Sequence, residues 1–507
     1  MISRRSALKA ALFGSTALAA GTAFSLFTDA PSRAGTVFIN KLTIPPLLAG
    51  KQENGIRIFD LHMQKGMSRF FQGVQTPTLG VNGSFLGPTL KMRNGEKVRF
   101  NVTNTIGEPT TLHWHGLHLP AKADGGPHQI IENGETWSPE FEIKQMAATF
   151  WYHSHMFHKT GEQVWKGLAG LMLVEDETSD KLDLPREYGV DDIPVVLQDR
   201  SFNADGSLQY ISSMHDIMMG MKGQIPMVNG TISPFIEATS KKLRLRILNG
   251  SNSRFFNLGF DDNRSFHQIS TDGSFLQTPF ETTRVKLGPG ERAEIVVDVS
   301  GNQPFALRSA PSESSGGFMN MMRRGMGRGM MNMMGGGIEQ IDFLQIRPAK
   351  TLKTSPALPS QLVTLPRMDA ATAVKTRRFV MQMRMGPAMM TGSGGPLSIN
   401  GKTMAMDRID EVVKLGDTEI WQIENTSPLP HPFHVHNIQF LILERNGKPP
   451  MPGERGMKDT VTVEGGEIVR VIARFDDYAD PEHPYMYHCH ILEHEDAGMM
   501  GQFTVVA

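Results

Sequence analysis

Four short segments of the chain carry histidines two residues apart: His113-Trp114-His115, His153-Ser154-His155, His434-Val435-His436 and His488-Cys489-His490. On an extended strand, residues i and i+2 project to the same side. The two imidazoles of each pair are therefore expected to face one way, and four pairs offer eight nitrogen ligands. Imidazole suits copper, zinc, iron and nickel. Cys489 sits between His488 and His490 and is expected to point to the opposite side. A second site is expected there, built from Cys489, His431 and His494, with Met499 ten residues past the cysteine. One Cys, two His and a weak axial Met are the ligand set of a blue-copper electron-transfer site. Zinc would leave that Cys–Met side without a purpose. Ten of the 17 histidines fall in this pattern, which is too regular for scattered structural residues. His62, His118, His128, His158, His215, His267 and His483 lack the spacing and read as structural.

The same spacing implies a mechanism. A thiolate site exchanges one electron at a time, and backbone joins Cys489 to both flanking histidines. An electron entering at the thiolate has a short covalent route to the eight-imidazole cluster. A cluster that stores several electrons beside open coordination positions suits four-electron reduction of dioxygen to water.

The elements that must hold these residues are strands. Short runs of Val, Ile, Phe and Thr alternate with polar residues, as in Thr89 to Val102, Lys242 to Leu248 and Glu467 to Phe475. The 51 Gly and 31 Pro supply the turns between them, and long amphipathic helical patterns are scarce. The expected fold is all-β, stacked sandwiches or Greek-key barrels. An internal repeat divides it. Leu90 to Phe100 resembles Val412 to Trp421, and each copy leads through two His-x-His pairs to a Gly-rich apolar strand, Gly167 to Val174 or Gly498 to Val506. The middle third has strand signals but no His pair and reads as a metal-free copy. Charged and Pro-rich connectors place the units at 35–176, 177–365 and 366–507.

Composition narrows the partners. Lys plus Arg is 51 and Asp plus Glu is 52 over 507 residues, so no global basic field exists to hold nucleic acid. A single Cys forbids an intramolecular disulfide framework. Yet Ser3-Arg4-Arg5-Ser6-Ala7-Leu8-Lys9 resembles a twin-arginine export motif, followed by a mild apolar stretch from Ala10 to Phe27 that is too weakly apolar for a stable membrane span. Residues 1–34 are therefore expected to be a signal peptide read by the twin-arginine machinery. That route carries folded proteins, and the expected product is a periplasmic monomer.

These motifs resemble the four copper-binding motifs of the multicopper oxidases, present in order across about 450 residues. The resemblance implies three cupredoxin-like domains and four copper ions, one of type 1, one of type 2 and two of type 3. By motif position, His431, Cys489, His494 and axial Met499 match the type 1 ligands. His113 and His434 match type 2. His115, His153 and His490 match one type 3 ion, and His155, His436 and His488 match the other. No ligand position is substituted, unlike in the copper-free relatives of the family. Within it, Asn82 to Thr89, Asp124-Gly125-Gly126-Pro127 and His494 to Met500 are most similar to the bacterial periplasmic copper-efflux (cuprous) oxidases. Asp124 matches that group's acid beside the cluster, and Glu495 lies near its proton route; both are catalytic candidates, since carboxylates relay protons through water.

Methionine points to the electron donor. Phe318 to Gly337 holds eight Met among Gly, Arg and Asn without a helical or strand period. Met214 to Met221 and Met381 to Met390 are further clusters. Thioethers favour Cu(I). The resemblance then implies oxidation of Cu(I) by dioxygen in periplasmic copper tolerance. One departure from the copper-efflux group supports a laccase-like rival that oxidises phenols or aromatic amines. That group places an acid and a Met just before the first type 1 histidine, and this chain has Ser427-Pro428-Leu429-Pro430. A copper-sequestering binding protein is the third reading, disfavoured by the complete ligand set.

Overall fold

The computed structural model describes residues 36–311, 340–384 and 395–507. The proposed signal peptide, the Phe318 to Gly337 methionine stretch and residues 385–390 of the Met381 cluster lie outside the described residues.

Among the described residues, strands form six sheets, two in each of three units. The ligand-bearing sheet of the first unit contains β1 (Thr89–Arg93), β2 (His113–His115), β3 (Ala148–His153) and β4 (Ala169–Glu175). β4 runs parallel to β1, and β3 lies antiparallel between β4 and β2. A short helix, α1 (Thr160–Lys166), interrupts the return from β3 to β4. The middle unit has an eight-stranded and a six-stranded sheet. Its helix α2 (Met214–Met219) precedes the antiparallel pair β5 (Lys242–Asn249) and β6 (Arg292–Asp298). The third unit repeats the first. β7 (Glu411–Lys414) is parallel to the last strand, β11 (Met500–Val506). β10 (Asp480–Cys489) is antiparallel both to β11 and to β8 (His431–Val435), and β9 (Thr460–Val463) flanks β8. Helix α3 (Leu492–Asp496) connects β10 to β11.

Each unit buries its own apolar core between its sheets. Phe59, Phe100 and Trp114 lie in the first, Ile295 and Phe343 in the second, Trp421 and Phe503 in the third. At about 1.5–3 kcal/mol for each fully buried large aliphatic or aromatic side chain, these cores drive the folding of each sandwich. A smaller cluster joins units one and two, where Trp151 and Leu171 meet Val196 and Leu248. One short strand crosses between units. Asn40–Lys41, assigned to the first unit, pairs in parallel with Pro234 and Phe235 in a sheet of the middle unit. Two exposed residues carry too little pattern to reveal which sheet they join.

Candidate metal centre

Register brings the histidines together. In the first unit, His113 on β2 lies opposite His153 on β3. In the third, His434 on β8 lies opposite His488 on β10. The repeat thus reproduces the cross-strand pair as well as the sequence motif. The period-two argument holds within strands only. His155, His436 and His490 lie just past the ends of β3, β8 and β10. Bonds outside the ladder hold them there: the His436 backbone N–H donates to Met486 O at 3.0 Å, and that of His490 to Pro432 O at 2.7 Å.

The eight imidazoles form one buried cluster between the first and third units. Three groups have ligand atoms within 4.8 Å of one another: His113, His434 and His436; His115, His153 and His490; and His155, His436 and His488. For most of them, one ring nitrogen is tied to protein oxygen. Nδ1 of His113 faces Asp124 O at 2.9 Å, Nδ1 of His153 faces Ser154 O at 2.8 Å, and Nδ1 of His434 faces Asp459 O at 2.9 Å. Nδ1 of His436 meets Asp124 Oδ2 at 2.7 Å, and Nδ1 of His488 meets Cys489 O at 3.1 Å. A carbonyl only accepts, so the proton sits on the tied nitrogen and the other nitrogen carries a lone pair. Ring nitrogens not tied to oxygen face one another: His155 Nε2 and His488 Nε2 are 3.2 Å apart, His436 Nε2 and His488 Nε2 3.3 Å, and His153 Nε2 and His115 Nδ1 3.4 Å. Nε2 of His113 and His434 and both nitrogens of His490 are buried without a hydrogen-bond partner.

Burial, helped by mutual repulsion, holds His115, His153, His155, His434 and His488 well below the usual imidazole range. It pushes His436 down to about 4 and His490 to about 3. Neutral imidazoles with lone pairs converging at this spacing are what cations need and what an empty core would not tolerate. The residues therefore fit metal ions.

Across β10 lies the second group. Residues 431, 433 and 435 share one face of β8, opposite to His434, just as Cys489 is opposite to His488. His431 Nδ1 is 3.3 Å from Cys489 Sγ and 3.3 Å from His494 Nδ1, and Cys489 Sγ is 3.7 Å from His494 Nδ1. Ser427 Oγ bonds His431 Nε2 at 2.8 Å, and His494 Nε2 donates to Met218 O at 3.0 Å. Met499 is fully buried in the same core cluster as Cys489, and its carbonyl accepts from the Cys489 N–H at 3.0 Å. Burial raises the Cys489 thiol well above its ordinary range, so metal binding there must release its proton.

The two acids flagged by the sequence both reach imidazoles. Burial alone would raise Asp124, but His436 and His113 hold its carboxyl well below the usual carboxylate range. Glu495 goes the other way: burial first, then the nearby Asp496, raises it well above its ordinary value. Its carboxyl oxygens lie 3.3 Å from His155 Nδ1 and 3.2 Å from His488 Nδ1. Sequence reasoning missed Asp459, Thr460 and Arg292. Asp459 Oδ1 accepts from His115 Nε2 at 3.0 Å and from Arg292 Nη1 at 2.8 Å. The only signal was a charged Lys458-Asp459 pair heading the largely buried Thr-Val-Thr-Val strand β9.

Comparison with known proteins agrees with this geometry. Family models described as multicopper oxidase match residues 62–179, 209–333 and 366–507. The multicopper oxidase mco of Staphylococcus aureus is 35% identical over 471 residues, covering 92% of each chain. The cell division protein FtsP of Rahnella sp. is 33% identical over 504 residues, covering 99% of each. Among solved structures, the laccase-like multicopper oxidase CueO of Ochrobactrum sp. superposes with a TM-score of 0.81 at 37% identity, over 92% of this chain and all of that one. With both a thiol-bearing and an eight-imidazole centre on cupredoxin-like sandwiches, the chain belongs to the multicopper oxidase family, copper-dependent oxidase enzymes.

Proposed function

We propose that this enzyme oxidises Cu(I) with dioxygen as acceptor, protecting the periplasm from copper after twin-arginine export. Four coppers are held as the motifs imply: type 1 by His431, Cys489, His494 and Met499, type 2 by His113 and His434, and the type 3 pair by His115, His153, His490 and by His155, His436, His488. Bound there, copper supplies one-electron exchange at the thiolate centre and dioxygen reduction at the imidazole cluster.

The observation that carries the choice of donor is the covering of the thiolate centre. His431 and His494 have no exposed edge, and helix α2 lies over His494 through the Met218 carbonyl. A phenol ring has no imidazole edge to touch. Cu(I) is small, and α2 brings Met214 to the surface, 60% exposed, while Met218 on the same helix and Met221 just past its end are buried. Soft thioethers spaced from surface to interior suit a Cu(I) donor. The remaining steps belong to the chain. Asp124, a fixed anion, orients His436. Glu495 keeps its proton at a carboxyl oxygen beside His155 and His488, where reduction of dioxygen consumes protons.

A laccase-like activity is the second reading. The segment where the copper-efflux group has an acid and a Met is here Ser427-Pro428-Leu429-Pro430, with Ser427 bonded to His431, and the similar Ochrobactrum enzyme is described as oxidising lignin model compounds. Oxygen uptake by the copper-loaded protein separates the two. Rapid uptake with Cu(I), and weak phenol oxidation that added Cu(II) stimulates, are expected. Deleting Phe318 to Gly337 should lower Cu(I) oxidation more than phenol oxidation. Strong phenol turnover indifferent to added copper would overturn the Cu(I) reading.

A further inference from the structure

The two ligand-bearing units are related by approximate two-fold symmetry, and the symmetry extends to a residue outside the ligand set. The Asp124 carbonyl accepts from Nδ1 of His113 in its own unit at 2.9 Å, and its carboxylate from Nδ1 of His436 in the third unit at 2.7 Å. Asp459 does the same from the other side. Its carbonyl accepts from Nδ1 of His434 in its own unit at 2.9 Å, and its carboxylate from Nε2 of His115 in the first unit at 3.0 Å. The rings follow suit. His113 stacks on His436 at 3.8 Å between centroids, and His434 stacks on His115 at 3.7 Å.

Asp459 is further gripped by Arg292 from β6 of the middle unit. Arginine has five N–H donors in a rigid fork. Here all five are engaged. Nε donates to Thr149 O of the first unit at 3.0 Å. Nη1 donates to Gly290 O at 3.0 Å and Asp459 Oδ1 at 2.8 Å. Nη2 donates to Asp272 O at 2.9 Å and Asp459 Oδ2 at 2.6 Å. The guanidinium is fully buried and touches all three units. We propose that Asp459, clamped by Arg292, is a positioning residue that sets which nitrogen of His115 faces the copper cluster, and that the middle unit, which supplies none of the cluster's imidazoles, thereby takes part in building it.

The chemistry is direct. A bidentate clamp fixes the plane of the Asp459 carboxylate. Its Oδ1 then takes the Nε2 proton of His115, with Thr460 Oγ1 supporting from 3.2 Å. That leaves Nδ1 bare, 3.4 Å from His153 Nε2. The tied nitrogens recorded for His113, His153, His434, His436 and His488 are all Nδ1, so His115 presents the opposite atom. Without the carboxylate, Nε2 faces only the Thr460 hydroxyl, which can donate as well as accept and so does not select the tautomer. Gly290 belongs to the same device, because a Cβ there would meet the His490 ring at 2.9 Å.

This rests on the copper assignment proposed above, and the test separates the two. Asp459→Asn is loaded with copper beside the parent protein. Read out are copper per chain, blue absorption of the thiolate centre, and the paramagnetic resonance of the type 2 ion. Partners that orient a metal-bound imidazole typically contribute 10–100-fold in metal affinity. The variant should hold the cluster coppers about 10–100-fold more weakly against a chelator, with blue absorption per chain unchanged. Arg292→Lys keeps a charge but loses the fork, and should show a smaller loss of the same kind. Unchanged cluster affinity in both variants, or loss of both centres in parallel, would overturn the positioning role. A parent protein without copper at either centre would overturn the copper assignment instead.

Discussion

Gly116 closes the first His-Trp-His-Gly segment with φ at +89°. A Cβ there would lie 2.5 Å from Asp459 Oδ2, 2.8 Å from Phe150 Cδ1 and 3.0 Å from Arg292 Nη2. None of these atoms has room to yield. Asp459 Oδ2 is pinned by Arg292 at 2.6 Å, every donor of that guanidinium is committed, and Phe150 is buried in the first core. An L-residue in left-handed backbone costs about 1–2 kcal/mol. Overpacking a tight interior adds about 1–3 kcal/mol. Gly116→Ala should thus destabilise the protein by about 2–5 kcal/mol. Gly134 provides the control, with φ at +92° and nothing within 4 Å of its Cβ. Gly134→Ala should cost only the backbone part, about 1–2 kcal/mol. The assay is denaturant unfolding of the metal-free chains, reading the midpoint of the first transition, since three units need not unfold together. Copper retention is measured in parallel, and Gly116→Ala should also weaken the cluster. Equal costs for the two alanines would refute the reasoning that the glycine exists to admit the Asp459–Arg292 clamp.

Cys489→Ser should abolish blue absorption and oxygen uptake while leaving the imidazole cluster able to bind copper, checked by copper counts; undiminished uptake would contradict electron entry at the thiol. The metal-free protein should be acid-labile. An unfolded imidazole protonates near 6.5, whereas burial holds His436 and His494 at about 4 and His490 at about 3. Between those values the unfolded chain binds more protons, so stability falls as pH falls. From about pH 7.5 to about 5.5 each group withdraws on the order of 1 kcal/mol, a few kcal/mol for the three together. Denaturant titrations at the two pH values measure this, and a stability flat across the window would contradict it.

Much of the site was legible because metal ligation imposes a local pattern. A strand with a ligand every second residue leaves a mark that neither core packing nor turn formation produces, and the duplicated unit left it twice. The alternation also placed Cys489 on the face away from its neighbours. What escaped had no periodic mark. His155, His436 and His490 sit past strand ends, where side-chain direction depends on loop bonds. Met218 acts through its carbonyl, which every residue owns. Arg292 and Asp459 are single charges 167 positions apart whose meaning appears only when units two and three dock. Asn40–Lys41 is too short to announce its sheet.

The middle unit is more than a spacer between two copper-binding halves. A buried charge network runs along its contact with the first unit: Arg246 grips Asp192 through Nε at 2.7 Å and Nη2 at 2.8 Å, and Glu294 takes Thr149 Oγ1 at 2.7 Å. On its contact with the third, Lys458 meets Asp272 at 2.8 Å. Burying such pairs gains little stability over apolar packing, because desolvation offsets attraction. Their value is directional, since charged hydrogen bonds fix orientation where apolar surfaces slide. The cluster needs imidazoles from two units held to a fraction of an ångström, and among the described residues no strand ladder crosses between those units. Thr149 and Arg292, one bond apart at the head of the network, lie on β3 and β6, two to four residues from Trp151 and His153 in sequence on the first of these. These bonds tie the middle unit to both halves beside the cluster: Glu294 and Arg292 to Thr149 of the first, Arg292 and Asp272 to Asp459 and Lys458 of the third.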